Sequence, residues 1–151
     1  MVHRFYDVNL RKACYSPTLL TELLPMADIV KLNDAEVGEF CAMYDEPAAD
    51  LETFCRRWAK RYDWDVVCVT RGALGCALLR GDEYLEVAGV PVNVADTVGG
   101  GDAFSAALVH GLSQRWALQK IGLFANRVGA LIAGRHGGAP HWSPLEIFPD
   151  L

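Results

Sequence analysis

Three observations predict an α/β protein built on a mostly parallel sheet. Short continuous apolar runs such as "DIVKLN" and "DVVCVT" alternate along the chain with stretches of helical periodicity, the order expected of layered α/β domains. The runs show no apolar/polar alternation, as in strands covered on both faces. Polar clusters recur where the runs end, at the carboxyl edge where open α/β sheets bind ligands.

The first strand is read in "HRFYDVNL", ending at Asp7 or Asn9. Ser16 and Pro17 give an N-cap and a first-turn proline, opening a helix over "PTLLTELLPMA". "DIVKLN" follows as a buried strand and "DAEVGEFCAMY" as a helix. After the polar turn "DEPAAD", "LETFCRRWAKRYD" is an amphipathic helix with Leu51, Phe54, Cys55 and Trp58 on one side. "DVVCVT" is the next strand. "CALLR" and "YLEVAG", joined at Gly81-Asp82, form a hairpin. Two helices, "DAFSAALVHGLSQRW" and "LQKIGLFANRVGALIAGR", come next. The tail is loop with one turn begun by Ser143-Pro144. No internal repeat or low-complexity segment interrupts this order.

The chain has 151 residues, 52% of them hydrophobic, which suits one compact domain. Fourteen basic against nineteen acidic residues give a net charge of −5, and no basic run could track a phosphate backbone, so nucleic acid is excluded as a partner. The beginning has no apolar stretch fit for a signal peptide, and no segment could span a bilayer. The five cysteines (14, 41, 55, 68 and 76) are never spaced as C-x-x-C, so they read as reduced core thiols. A cytoplasmic protein is expected. The four histidines show no metal spacing, and the four tryptophans read as core or hinge packing.

Four polar clusters fall at strand ends: Asp7/Asn9/Arg11, Asn33/Glu36, Thr70/Gly72/Gly75 and the loop from 96 to 102. The last, "DTVGGGDAF", is the most specific. Successive glycines let several N–H groups converge on one point, a nest suited to an anion. A helix opening directly after them adds the positive end of its dipole. Alone, the same stretch is also a glycine turn with Asp102 as an ordinary N-cap. Asn33 with Glu36 reads as a capping box, Arg71 as a free cation, and Lys31 as either a phosphate contact or a solvated strand end.

"DTVGGGDAF" resembles the D-T-x-G-A-G-D-x-F signature of the ribokinase-like (PfkB) carbohydrate kinases, with Gly100 in place of the usual alanine. "DVNLR" resembles that family's D-x-N-x-R, "KLNDAE" its N-x-x-E, and "VTRGALG" its T-x-G-x-x-G. "FAN" and "GGAP" resemble its late alanine-asparagine and glycine-alanine steps. The resemblance runs over nearly the whole chain, yet covers only part of the family's usual length. It implies a single partial domain over 1–151, the nucleotide-binding C-terminal half of a three-layer α/β/α kinase. The N-terminal half, with its sugar-binding loops and lid, is missing, either by natural truncation or because the chain is a fragment.

The resemblance also assigns roles. Asp102 is the catalytic base, and Gly99, Gly100 and Gly101 hold the phosphates. Lys31, Thr70, Gly72, Gly75 and Asn126 contact the nucleotide, the last near adenine. Asn33 and Glu36 order water around Mg2+, and Asp96 helps hold a monovalent cation, K+. The implied activity is ATP-dependent phosphorylation of a sugar or sugar-acid hydroxyl, fructokinase-like or 2-keto-3-deoxygluconate kinase-like, weak in the half-chain alone. The alternatives are a nucleoside kinase of the same family and a non-catalytic nucleotide-binding remnant. An exposed sheet edge along "HRFYDVNL" leads to the expectation of a homodimer, or of association with the missing half.

Overall fold

The computed structural model describes residues 3–11, 14–47, 49–96 and 98–147. The chain divides into two compact units, Met1–Gly72 with Cys76–Glu86, and Ala73–Gly75 with Val87–Leu151.

The first unit is built on a five-stranded sheet in the order β1-β2-β3-β4-β5, with strands Phe5–Asp7, Ile29–Asn33, Val66–Thr70, Cys76–Arg80 and Glu83–Val87. β1, β2 and β3 are parallel, and β4 runs antiparallel to β3. The helices α1 (Pro17–Leu23), α2 (Asp34–Met43) and α3 (Leu51–Tyr62) fill the two parallel connections, as a crossover requires. The two-residue step at Gly81-Asp82 allows only a hairpin, and Gly81 takes φ 57 there. Alternate residues of the strands (Val30 and Leu32, Val67 and Val69, Ala77 and Leu79) share one core with Leu20, Phe40, Phe54, Cys55 and Trp58 of the helices, the period of two expected of a pleated strand. Trp58 is the centre of that core: Phe40, Tyr44, Phe54, Tyr62 and Trp64 lie with ring centroids 5.0–6.4 Å from it.

Local chemistry sets the boundaries. The Ser16 hydroxyl accepts from Leu19 N–H, with Pro17 in the first turn. The helix expected to reach 27 stops at Leu23 and tightens to a 3-10 turn over Leu24–Met26, because Pro25 has no N–H to continue it. Asp50 caps α3 by accepting from Thr53 N–H at 2.8 Å, and Asp63 ends it at φ 58. β1 ends at Asp7, the earlier of the two expected limits, and Asn9 has turned out of extended backbone at φ 42. Cys55, Cys68 and Cys76 are buried and outside any disulfide, as expected of core thiols, whereas Cys14 is exposed and Cys41 half-buried.

The second unit is dominated by α4 (Gly100–Ser113) and α5 (Leu118–Ala133), followed by the single turn α6 (Pro144–Ile147). A Cβ on Gly100 would lie 3.4 Å from Gly129 O, and one on Gly111 would lie 3.0 Å from Ile121. The start of α4 therefore meets the end of α5, and the two helices are antiparallel, with glycines allowing the close approach. Among the described residues no helix is long and apolar enough to cross a membrane.

Two polar contacts anchor β1. Lys31 is 7% exposed, and its Nζ donates to both Asp7 oxygens at 3.0 and 2.8 Å across the β1–β2 register. Removing one member of such a pair leaves the other charge uncompensated. Asp7→Ala is therefore expected to cost about 3 kcal/mol in urea unfolding, and the double variant with Lys31→Met to recover most of that loss. At the other end of β1, the Asp28 carboxylate accepts from the Arg4 guanidinium and from Arg4 N–H. The side-chain bond first, and the backbone bond second, pull its pKa from 3.8 down to about 2. The folded value lies below the unfolded one, so this stabilisation is complete above about pH 4 and disappears as pH falls toward 2. Asp28→Asn should flatten an acid titration of stability in that window and leave the slope above it unchanged.

Candidate active site

The segment from Asp96 to Asp102 lies wholly in the second unit, and Thr97 of its motif is outside the described residues. Gly99 takes φ 83, and a Cβ there would lie 2.2 Å from Gly138 O. No side chain fits at that position without moving the backbone. α4 begins immediately after it, at Gly100, two residues earlier than the apolar pattern suggests. The N-cap is therefore Gly99, with no side-chain cap, and Asp102 is the third residue of the helix. The reading of Asp102 as an ordinary N-cap is thereby corrected.

This start gives the glycines distinct surroundings. Gly100 faces α5, where a Cβ would make ordinary contacts at 3.4 Å with Gly129 O and 3.5 Å with Ala133 Cβ. Gly101 faces open space, with nothing within 4 Å of an added Cβ. The first N–H groups of a helix have no intrahelical acceptor, so an anion could collect them at this end. The Asp102 carboxylate is exposed, and among the described residues it has no hydrogen-bond or ion-pair partner.

Gly99 and Asp102 lie on the wall of a cavity of about 690 Å³, within the size range of small-molecule sites. α4 contributes Ala103, Ala106, Ala107 and His110; α5 contributes Phe124, Val128 and Ile132; the later segment contributes Gly138, Pro140 and Trp142. His110, Trp116 and Phe124 form an aromatic cluster with centroids 5.3–6.0 Å apart. Trp116 and Trp142, expected in core or hinge packing, both line this cavity, and Trp142 is 42% exposed. Their sequence context carries no sign of that role.

Asp96 joins two loops. Its Oδ1 accepts from Val98 N–H at 3.0 Å and its Oδ2 from Gly137 N–H at 3.3 Å. These two bonds, that from Val98 foremost, hold its carboxyl below the usual carboxylate range. Asn126 is buried on α5, and its Nδ2 donates to Ala88 O at 3.0 Å and Val87 O at 3.3 Å. The amide that sequence reasoning gives to a ligand thus ties α5 to the chain leaving β5. Gly75 belongs to the same region: at φ 93, its added Cβ would meet Val87 O at 2.0 Å.

The remaining candidates lie in the first unit. Asn33 and Glu36 form the expected capping box. Asn33 Oδ1 accepts from Glu36 N–H at 2.9 Å, and Glu36 Oε2 accepts from Asn33 N–H at 2.8 Å. Glu36 is 4% exposed, and its other oxygen accepts from Leu10 N–H at 2.7 Å. Lys31 is no solvated strand end: it is buried and paired with Asp7. Thr70 donates to Leu32 O at 3.3 Å, and Gly72 opens a 3-10 turn at φ 54. Arg71 is likewise not free, since its guanidinium bonds Glu86 at 2.7 Å.

The model for the pfkB family of carbohydrate kinases matches residues 2–144. A provisionally named sugar kinase of Pyrococcus horikoshii is 32% identical over 91% of this chain and 42% of its own length. Fructokinase-1 of Oryza sativa subsp. japonica is 31% identical over 94% of this chain and 46% of its own. A provisionally named ribokinase II of Escherichia coli, solved with ATP and Mg2+, superposes with a TM-score of 0.75 at 25% identity, over 87% of this chain and 42% of its own. The chain thus spans a little under half the length of these relatives.

Two substitutions test the glycine geometry. Gly100→Ala restores the residue of the motif it resembles, and its Cβ has room. It should raise stability by about 0.4–1 kcal/mol in denaturant unfolding by restricting the unfolded chain. Gly99→Ala should lower the thermal midpoint by several degrees, since it forces both positive φ and a backbone clash.

Proposed function

Given that the chain belongs to the pfkB family of carbohydrate kinases, we propose that it is the nucleotide-binding portion of an ATP-dependent phosphotransferase whose acceptor is a sugar or sugar-acid hydroxyl. The observation that carries this reading is the exposed Asp102 carboxylate, in the first turn of α4, next to glycine N–H groups and on the wall of the cavity.

In this reading the amides of Gly99, Gly100 and Gly101 receive phosphate oxygens of ATP. Charge on the transferred phosphoryl group is stabilised there by donors already in place, which is where most phosphoryl-transfer catalysis lies. Asp102 accepts the proton of the attacking hydroxyl while that oxygen bonds to the γ-phosphorus and the bond to the leaving ADP oxygen breaks. Fructokinase-1 at 31% identity supports a sugar as acceptor.

Mg2+, when bound, neutralises phosphate charge. Among the described residues no group of three or more His, Cys, Asp or Glu could hold it directly. An ion kept on phosphates and water suits Mg2+ in such sites. Each Glu36 oxygen, already accepting one backbone N–H, retains acceptor capacity for such a water. The roles of Lys31, Thr70, Gly72, Asn33 and Glu36 toward nucleotide or metal rest on resemblance, as does that of Asn126.

Calorimetry with ATP and ADP tests the binding half of the proposal. The chain should bind both. Gly101→Val, whose side chain enters open space and leaves the fold intact, should weaken binding at least tenfold by occupying the phosphate position. No heat at millimolar nucleotide would remove this reading. The catalytic half is tested by product formation from ATP with ketoses, sugar acids and nucleosides, using the chain alone and supplemented with the N-terminal half of a relative. Asp102→Asn should lower turnover by roughly 10²–10⁴-fold with ATP affinity nearly unchanged. An equal rate in the variant would make Asp102 a surface carboxylate only.

A further inference from the structure

We infer that Arg71 is a positioning residue for the start of the turn after β3, holding residues 70–72 in place through Glu86 instead of touching a phosphate itself; this rests on the nucleotide reading above. That part of the chain has little of its own to fix it. The ladders of β3 with β2 and with β4 both end at Thr70, opposite Asn33 and Cys76. Gly72, two residues on, is exposed, has φ 54, and would meet nothing within 4 Å if it carried a Cβ. Such a backbone is open to a ligand and has wide conformational freedom.

Between the two stands Arg71, whose side chain is 17% exposed. Its guanidinium donates to Glu86 Oε2 at 2.7 Å, and the Tyr84 hydroxyl donates to the other oxygen of that carboxylate at 2.8 Å. Tyr84 and Glu86 are two apart on β5 and share a face. β4 lies between β3 and β5 in the sheet, so with strands about 4.8 Å apart the bridge spans about 10 Å. A long side chain is needed from each end, and aspartate at 86 would fall one methylene short. The Tyr84 hydrogen bond foremost, with the Arg71 charge added, holds the Glu86 carboxyl below the usual carboxylate range. An arginine engaged in this way has its planar fork committed to the carboxylate. Glu86 is 47% exposed, so the pair adds little to global stability. Its effect is local: it pins the residue between the last paired position of β3 and the open backbone at Gly72.

The test is calorimetry with ATP on Arg71→Met, Glu86→Gln and the double variant. Each single change should weaken ATP binding by about three- to tenfold, the weight of one hydrogen-bonded contact, with the thermal midpoint moved by no more than a few degrees. The double variant should bind no more weakly than the worse single one, since both changes remove the same interaction. Glu86→Gln is the decisive arm, because it releases Arg71. Unchanged or tighter binding in that variant would mean that the guanidinium meets phosphate directly or does nothing, and either result overturns the inference. So does a double variant whose loss is the sum of the two. If the parent chain binds no ATP, the nucleotide reading itself has failed, and backbone NMR then decides the clamp alone. The order parameter of the Gly72 amide should fall below the about 0.85 of rigid backbone in all three variants, while those of Val66–Thr70 hold. An unchanged Gly72 value overturns the inference.

Discussion

The contact between Gly99 and Gly138 is the constraint from which the candidate site follows. Two backbones meet so closely that a Cβ would lie 2.2 Å from a carbonyl oxygen. This is possible only where a residue has neither a side chain nor a penalty for positive φ. Because Gly99 turns there, α4 starts at Gly100, and its first free N–H groups stand beside the loop rather than inside it. Asp102 then falls at the third helical position with an open carboxylate. Moving the turn by one residue would rotate that carboxylate about a hundred degrees round the helix. The glycine triplet therefore spans three different surroundings, close backbone approach at Gly99, ordinary contact with α5 at Gly100 and open space at Gly101, and only the first demands glycine for the fold.

What was legible in the sequence was mostly local. The capping box of Asn33 and Glu36, the Ser16-Pro17 start, the hairpin at Gly81-Asp82 and the apolar face of α3 depend on residues a few positions apart. Their geometry is set by the chain itself. The boundaries that shifted did so for equally local reasons that compete with periodicity. Pro25 cut α1 short, and glycines that are weak helix formers were nevertheless drawn into α4.

Long-range partners were not legible. Lys31 and Arg71 look like available cations until Asp7, 24 residues away, and Glu86, 15 away, are found against them. Asn126 conflicts with helix propensity, and sequence reasoning assigns that conflict to a ligand. A buried amide donating to Val87 O and Ala88 O explains it equally well, since both uses call for the same residue type in the same place. Trp142 is a further case: nothing around it distinguishes a tryptophan on a cavity wall from one in a core.

These assignments separate the candidates into two physical kinds. Lys31, Glu36, Asp96 and Asn126 all have polar atoms engaged by the protein itself, and three of the four are buried. Groups bound in this way are fixed in position. They serve a reaction mainly by holding other groups still, because any ligand must share them or displace what they already bind. A general base has the opposite requirement: its oxygen must be free to meet the proton it removes, with geometry supplied by its surroundings. Among the candidates Asp102 alone meets that condition, exposed and, among the described residues, without a partner. Within the second unit the contrast is direct: Asp96 and Asn126 are committed to hydrogen bonds inside the protein, and the Asp102 carboxylate stays uncommitted.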